Sequence, residues 1–310
     1  MEERTVSIIS NSKTKSTIEK IAKIIFQFCA TISVVAVFSI TIYMFISGTP
    51  AIFKEGITEI LFSSVWQPTA ANPSFGILYI ILTSIVGVFL AICIGVPIGL
   101  FTAINLSEIA SPRMRKIVKS AIELLAGIPS VIYGLLGVLL INPMMYKLEL
   151  WIFKDSTTHQ FTGGANLVSA ILVLAIMILP TLINISENAL KTVPDVYRKS
   201  SLALGASKMQ TIFKVVLPSA KSGIISAIVL GVGRAIGEAM AIVLVAGNAV
   251  NLPAPFNSVR FLTTAIVSEM GYAQGAHREV LFTIGLVLFV FIIIINLVLT
   301  YVIKRGDQNG

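Results

Sequence analysis

Long apolar runs alternate with short polar segments along this chain of 310 residues. A helix that crosses a membrane needs about 20 mostly apolar residues, and six separate runs come close to or exceed that length. They occupy residues 24–46, 77–101, 122–141, 167–185, 223–246 and 281–303. The pattern therefore predicts an all-α, polytopic membrane protein with six transmembrane helices.

The basic residues are concentrated in alternate polar segments, and this distribution predicts how the helices are oriented. Cytoplasmic segments of membrane proteins carry an excess of Lys and Arg. Of the 23 Lys and Arg residues, 17 fall in residues 1–23, 102–121, 186–222 and 304–310, whereas five fall in the other loops. We therefore predict that both termini are cytoplasmic, with a basic N-terminal segment at 1–23 and a tail at 304–310.

The composition argues against other classes of protein. Charged residues make up 12% of the chain, about half the share in soluble domains. The net charge of +8 does not predict nucleic-acid binding, because the basic residues do not form one patch. The run 24–46 is longer than the apolar region of a signal peptide, so we expect it to persist as a membrane anchor.

The sequence offers no set of side chains for catalysis or metal binding. His159 and His277 lie in polar loops rather than apolar runs, and we expect both to be exposed. An enzyme of the membrane interior would need a nucleophile–base pair or metal ligands within the spans. We therefore predict no catalytic residue, no metal site and no cofactor bound by this chain.

Prolines interrupt three of the apolar runs, at Pro97, Pro129 and Pro180. A proline removes one hydrogen bond from a helix and kinks it. Membrane bundles tolerate such kinks where neighbouring groups or water satisfy the freed carbonyl. Two interpretations stay open, namely ordinary kinked packing and a set of hinges along a pathway.

Two charged residues, Arg234 and Glu238, lie four positions apart within the fifth run. This spacing predicts that they share one face of a helix. Charged side chains inside a membrane generally face a bundle interior or water and have a partner. They could form a mutual salt bridge that only orients the helix, or they could line the path of a solute. Because the planar fork of arginine suits an oxyanion, the second interpretation favours an anionic solute.

The predicted cytoplasmic segment 186–222 contains two short helical patterns separated by Gly205. Ser207 and Gln210 have the spacing of a capping box at the start of the second pattern. One apolar stripe follows with helical periodicity, at Met209, Ile212, Phe213, Val216 and Leu217, and Pro218 is expected to end it. Such a stripe is compatible with the membrane surface and with a groove on a partner.

This segment resembles the EAA loop in the permease subunits of ABC importers. Gly205, Val215, Leu217 and Pro218 match the skeleton of that loop, whereas Lys199-Ser200-Ser201 replaces its Glu-Ala-Ala. The sequences GIPSVIYGLLG (127–137) and LPSAKSGIISAIVLGVGRAIGEAMAIVLVAGN (217–248) further resemble the PstC-type permeases of bacterial phosphate importers. The similarity extends from about residue 77 to 303, which would form a five-helix permease core behind the first span.

The resemblance implies a type I ABC importer permease in the inner membrane of a bacterium. It implies a second, PstA-like permease subunit, a PstB-like ATPase dimer that uses ATP and Mg²⁺, and a PstS-like phosphate-binding protein outside. It also implies that Arg234 and Glu238 line the phosphate path. The residues expected to couple to the ATPase are Lys199, Ser200, Ser201, Leu202, Ala203, Leu204, Gly205, Ala206, Ser207, Met209, Ile212, Phe213 and Pro218.

Two alternatives remain beside phosphate import. The chain could serve another oxyanion such as sulfate, molybdate or phosphonate, because Arg234 and Glu238 are compatible with it. It could also be a membrane sensor or scaffold that signals phosphate status. The chain lacks the G-x-x-x-x-G-K-[ST] loop that binds nucleotide phosphates, so the energy for transport would have to come from another subunit.

Overall fold

The computed structural model describes residues 12–308, which form mainly α-helices. In chain order the helices are α1 (Ser12–Glu55), α2 (Ile57–Phe62), α3 (Leu78–Ile104), α4 (Pro112–Gly127), α5 (Ser130–Leu136), α6 (Asn142–Ile152), α7 (Leu167–Lys191), α8 (Asp195–Ala203), α9 (Lys208–Thr211), α10 (Leu217–Ser219), α11 (Lys221–Gly237), α12 (Met240–Val245), α13 (Leu262–Glu269) and α14 (Gly275–Gln308). Short π-helical turns occur at Asn105–Ile109, Gly137–Ile141 and Ile212–Val216. A small antiparallel sheet pairs β1 (Trp66–Gln67) with β2 (Ser74–Phe75).

The predicted all-α membrane architecture is confirmed within the described residues. Five helical stretches are long and apolar enough to cross a membrane, and a sixth is added if α11 and the helical segment before it count as one bent span. The first helix is longer than the predicted run 24–46, because it begins at Ser12 and ends at Glu55. Residues 1–11 of the predicted N-terminal segment and 309–310 of the predicted tail lie outside the described residues.

The third predicted span, 122–141, is shifted in the structure. The helix α4 ends at Gly127, and a new helical stretch runs from Ser130 to Ile152. Pro129 explains the break, because a proline disfavours helical backbone in the residue before it, and Ile128 is accordingly extended (φ −73°, ψ 127°). Residues 122–127 therefore belong to the polar helix that precedes the span.

The fifth predicted span, 223–246, is two helices rather than one. The helix α11 ends at Gly237, and α12 begins at Met240. Glu238 between them has extended backbone (φ −73°, ψ 129°). The glycine at the end of α11 weakens the helix locally, and the carboxylate of Glu238 offers an acceptor to the backbone of the following helix.

The helix α7 lies at the centre of the bundle and packs against α3 and α11. Its close approach to α3 depends on two glycines of α3. A Cβ atom on Gly95 would lie 2.7 Å from Ile178 Cδ1, and one on Gly99 would lie 2.9 Å from Leu182 Cβ. Small residues let membrane helices approach closely, and these short distances show that Gly95 and Gly99 have that role between α3 and α7.

Two further apolar clusters lie at opposite ends of the bundle. One joins the end of α1 and α2 with α13 and the start of α14. The other joins the ends of α3 and α7 with α4, the π-helical turn after α9 and the start of α11. The segment 195–219 is therefore attached to the bundle by its own buried side chains, including Ile212 and Val216.

Candidate functional site

Arg234 lies in the last turn of α11 and is half-buried. Its Nη1 atom donates a hydrogen bond to Thr181 Oγ1 on α7, at 3.1 Å. Among the described residues, no carboxylate forms an ion pair with Arg234. The guanidinium therefore has no counter-ion in the described part of the chain, and four of its five donors are left for another partner.

The mutual salt bridge between Arg234 and Glu238, one of the two interpretations that the sequence leaves open, is not formed. Glu238 lies beyond the end of α11, so the two residues do not share one turn of a continuous helix. Its Oε1 atom accepts the backbone N–H of Ala241 at 2.9 Å, and its carbonyl oxygen accepts the hydroxyl of Thr263 at 2.7 Å. Glu238 thus caps the first turn of α12 and fixes the break between α11 and α12.

The surface of α11 beside Arg234 is not covered by other described parts of the chain. Gly233 and Gly237 flank it on α11, and a Cβ atom built on either glycine would meet no atom within 4 Å. Both glycines are exposed in the isolated chain. A cationic side chain beside open space within an apolar span can attract an anion, because few water molecules compete for its donors.

The three prolines predicted as hinges occupy different situations. Pro97 and Pro180 lie within the continuous helices α3 and α7, whereas Pro129 lies at the break between α4 and α5. Across this break, the hydroxyl of Tyr133 donates to the carbonyl oxygen of Leu125 at 2.7 Å. Pro129 is therefore the proline whose position best fits a hinge, and hinge motion at all three remains a prediction.

The segment 195–219 has the two-helix form that its sequence predicts. Gly205 adopts a positive φ of 85° between the helices, a conformation that glycine adopts readily. The Ser207 hydroxyl accepts the N–H of Gln210 at 3.2 Å, and Gln210 Oε1 accepts the N–H of Ser207 at 2.8 Å. The predicted capping box is thus present, and the helix ends one residue after Pro218, at Ser219.

The apolar side chains of this segment divide into two groups. Leu202, Leu204, Met209 and Phe213 are exposed, with Leu204 at 89%. Ile212 is 1% exposed and lies in the chain's own core, so its expected contact with the ATPase is wrong. We call the exposed group the coupling patch, and it lies among exposed polar or small residues that include Lys199, Ser200, Ala203 and Ser207.

The segment is held in place by Arg198, a residue to which the sequence assigned only a loop charge. Its guanidinium forms an ion pair with Glu108 in the turn after α3. Hydrogen bonding to Glu108 raises the pKa of Arg198 above its ordinary value. Nothing in the sequence connects these residues, because 90 positions separate them. A further hydrogen bond joins Ser201 Oγ to Thr211 Oγ1 at 2.9 Å and links the two short helices.

The expectation that both histidines are exposed is wrong. His159 Nε2 lies 2.8 Å from Oε1 of the buried Glu149, and His277 Nε2 lies 2.7 Å from Oε2 of the buried Glu269. Arg260 also forms an ion pair with Glu269. Sequence reasoning missed both clusters, because the polar loops around the histidines gave no sign of a buried carboxylate. Among the described residues, no group of His, Cys, Asp and Glu could hold a metal ion.

Comparison with known proteins places this arrangement in a family. Residues 95–307 match the family described as binding-protein-dependent transport system inner membrane component. The probable ABC transporter permease protein YqgH of Bacillus subtilis (strain 168) is 36% identical over 303 residues, which cover 96% of this chain and 95% of that protein. The phosphate transport system permease protein PstC of Pasteurella multocida (strain Pm70) is 35% identical over 260 residues, or 80% of each chain.

A solved structure supports the same fold. The structure of a bacterial alginate ABC transporter in complex with an alginate pentasaccharide-bound periplasmic protein matches with a TM-score of 0.63 at 17% identity. The match covers 93% of this chain and 96% of that one. The helical architecture, the family match and the extent of the similarity to PstC lead to one conclusion. The chain is a multi-pass ABC transporter permease and belongs to the PstC-type branch of the binding-protein-dependent transport family.

Proposed function

We propose that this chain is the permease subunit of an ATP-driven importer that moves inorganic phosphate across the bacterial cell membrane by alternating access. The observation that carries the proposal is Arg234, a half-buried guanidinium with no counter-ion among the described residues. A charge within a membrane span is energetically costly, so charged residues there are rare and usually mark a functional site. A tetrahedral oxyanion would supply the missing counter-charge and would accept two parallel hydrogen bonds from the guanidinium.

The partners follow from the family and from the coupling patch. A PstA-like permease would supply the other half of the path, and a PstS-like protein would deliver phosphate from outside. A PstB-like ATPase dimer would bind ATP and Mg²⁺ and receive the coupling patch, whose exposed apolar side chains suit a groove on a partner. This placement of the patch in the cytoplasm rests on the excess of Lys and Arg in the same segments.

The residues have separate roles in the proposed cycle. Closure of the ATPase dimer would move the segment 195–219, and the bundle would follow because Ile212 and Val216 are buried in it. Arg234 would meet phosphate transiently as the path opens from one side to the other. Glu238 would keep the break after α11 in place rather than neutralise Arg234.

Uptake of labelled phosphate by cells that lack this chain tests the proposal. The cells are grown in low phosphate and complemented with the wild-type chain, with Arg234→Ala or with Arg234→Lys, and the amount of chain in the membrane is measured for each. We expect the wild-type chain to restore uptake of labelled phosphate. Excess unlabelled phosphate should inhibit this uptake, whereas excess sulfate or molybdate should not. Arg234→Ala should abolish it, and Arg234→Lys should restore only part, because an ammonium cannot make the two-pronged contact.

Two outcomes would count against phosphate import. Unchanged uptake on deletion of the chain would remove the transport function in these cells. Inhibition of the uptake by sulfate or molybdate would assign the permease to another oxyanion.

A third outcome concerns the path rather than the solute. Normal phosphate uptake with Arg234→Ala would show that the guanidinium is not on the path.

A further inference from the structure

Thr181 on α7 differs from the other hydroxyl side chains of the spans in what it contacts. Thr102 on α3 donates to the carbonyl oxygen of Ile98 at 2.7 Å, which is four residues earlier in its own helix. Ser226 on α11 makes the same kind of bond to Ser222 at 2.9 Å. This is a common way in which a hydroxyl within a helix finds a hydrogen-bond partner. Thr181, by contrast, is contacted by a cation from a neighbouring helix.

The hydrogen bond between Arg234 and Thr181 joins α11 to α7 at 3.1 Å. It is a charge-assisted bond, because the donor is a guanidinium. Glu238, the residue that the sequence offered as a partner, is bound to the backbone of Ala241 instead. Within the described part of the chain, Thr181 is thus the side-chain hydrogen-bond partner of Arg234.

An arginine side chain has several rotatable bonds, and its planar fork binds an oxyanion at two points only in one orientation. A hydrogen bond at Nη1 limits the orientations of the guanidinium. It leaves the other N–H groups of Arg234 available to a further partner. The neutral threonine hydroxyl restrains the cation without cancelling its charge, which a carboxylate in the same place would do.

We propose that Thr181 is the positioning residue for Arg234, and that it orients the guanidinium for the transported oxyanion. This inference rests on the proposed function, since it concerns the same site. It gives α7 a role in anion recognition that acts through Arg234, and neither the sequence pattern nor the family match assigns that role. Without the hydroxyl, Arg234 would keep its charge but lose its orientation.

Transport kinetics test the functional part of the proposal. Thr181→Val keeps the shape of the side chain and removes the acceptor, whereas Thr181→Ser keeps the acceptor. Thr102→Val is the matched control, because that hydroxyl contacts only its own helix. In complemented cells we expect Thr181→Val to raise the KM for labelled phosphate roughly tenfold, the size expected for a hydrogen bond to a charged group. Vmax per chain in the membrane should change much less, and Thr181→Ser and Thr102→Val should resemble the wild type.

A double-mutant cycle tests the contact without depending on the substrate. The full-length chain in native membranes is heated, and the fraction that stays extractable in detergent is measured for Thr181→Val, Arg234→Met and the double variant. We expect the double variant to lose little more thermal stability than the more damaging single variant. Each single substitution already removes the hydrogen bond between Arg234 and Thr181, so the second substitution has no such bond left to remove.

The possible failures are distinguishable. Additive losses in the cycle, a wild-type KM for Thr181→Val, or equal defects in Thr181→Val and Thr181→Ser would each overturn the positioning role. If the wild-type chain restores no phosphate uptake, the proposed function fails, and coupling in the cycle still decides whether Thr181 holds Arg234.

Discussion

The guanidinium of Arg198 in α8 forms a bidentate contact with the carboxylate of Glu108. Arg198 Nη2 lies 2.7 Å from Oε1, and Nε lies 3.1 Å from Oε2. The same guanidinium donates to the carbonyl oxygens of Val193 at 2.6 Å and Leu190 at 2.9 Å. One side chain therefore joins the segment that bears the coupling patch to the ends of α3 and α7.

Removal of the Arg198 side chain should weaken the attachment of the segment 195–219 to the bundle. We expect Arg198→Ala to lower the free energy of unfolding by about 3 kcal/mol, because Glu108 would be left without its counter-ion in a mostly buried site. The measurement is the thermal unfolding of the full-length chain in native membranes. The neighbouring exposed residue supplies the control, and Lys199→Ala should change the unfolding temperature little. Equal effects of the two substitutions would contradict the anchoring role of Arg198.

The coupling patch and the core beneath it should respond differently to a charge. Leu204 is 89% exposed and Ile212 is 1% exposed. We expect Leu204→Glu to insert into the membrane normally but to lose its association with the ATPase, as measured by co-purification. Ile212→Glu should instead reduce the amount of folded chain, because an unpaired charge in an apolar core is strongly unfavourable. Retention of the ATPase by Leu204→Glu would remove Leu204 from the proposed contact.

Two glycines of α11 offer a matched comparison of helix packing. A Cβ atom on Gly223 would overlap Ala189 Cβ on α7, whereas a Cβ atom on Gly233 would meet nothing within 4 Å. We expect Gly223→Ala to destabilise the chain by about 2 kcal/mol, because α7 and α11 would have to separate. Gly233→Ala should stabilise it by up to about 1 kcal/mol through helix propensity. Thermal unfolding of the two variants decides between these effects, and a loss of stability in both would show that Gly233 is also packed.

The pair formed by His159 and Glu149 should hold the loop between α6 and α7. Glu149 is fully buried, and its oxygens also accept the N–H and the hydroxyl of Thr162, at 2.9 Å and 3.1 Å. We expect His159→Ala to destabilise the loop by about 2 kcal/mol, because one carboxylate oxygen loses a partner. Faster cleavage by a protease added from outside would reveal the loosening. His159→Gln should recover part of the protection, and identical cleavage of all three proteins would contradict the role of the pair.

Features that depend on neighbouring residues could be predicted from the sequence. The capping box of Ser207 and Gln210 needs only a spacing of three positions, and the turn at Gly205 needs only a residue that tolerates a positive φ. The apolar runs likewise predicted the long helices, since a membrane leaves few other ways to satisfy the backbone. These signals are local, and the structure reproduces them.

Features that depend on distant contacts could not be predicted. Arg234 and Glu238 have helical spacing, yet a hydrogen bond from Ala241 and another from Thr263 favour a break at Glu238. The apolar pattern continues across that break and gives no sign of it. His159 was expected to be exposed for a similar reason, since its buried partner Glu149 belongs to an apolar helix whose interior side cannot be recognised from one sequence.

A bend of 70° separates the helical segment 208–219 from α11. Rotation at this bend would displace the far end of α11 more than the residues beside the bend. Helices are stiff, and Arg234 lies about 20 Å along α11 from the bend at a rise of about 1.5 Å per residue. A tilt of about 10° at the bend would therefore sweep Arg234 sideways by about 3 Å, roughly the length of one hydrogen bond. A small tilt of the segment 208–219 would thus be enough to make or break the hydrogen bond between Arg234 and Thr181.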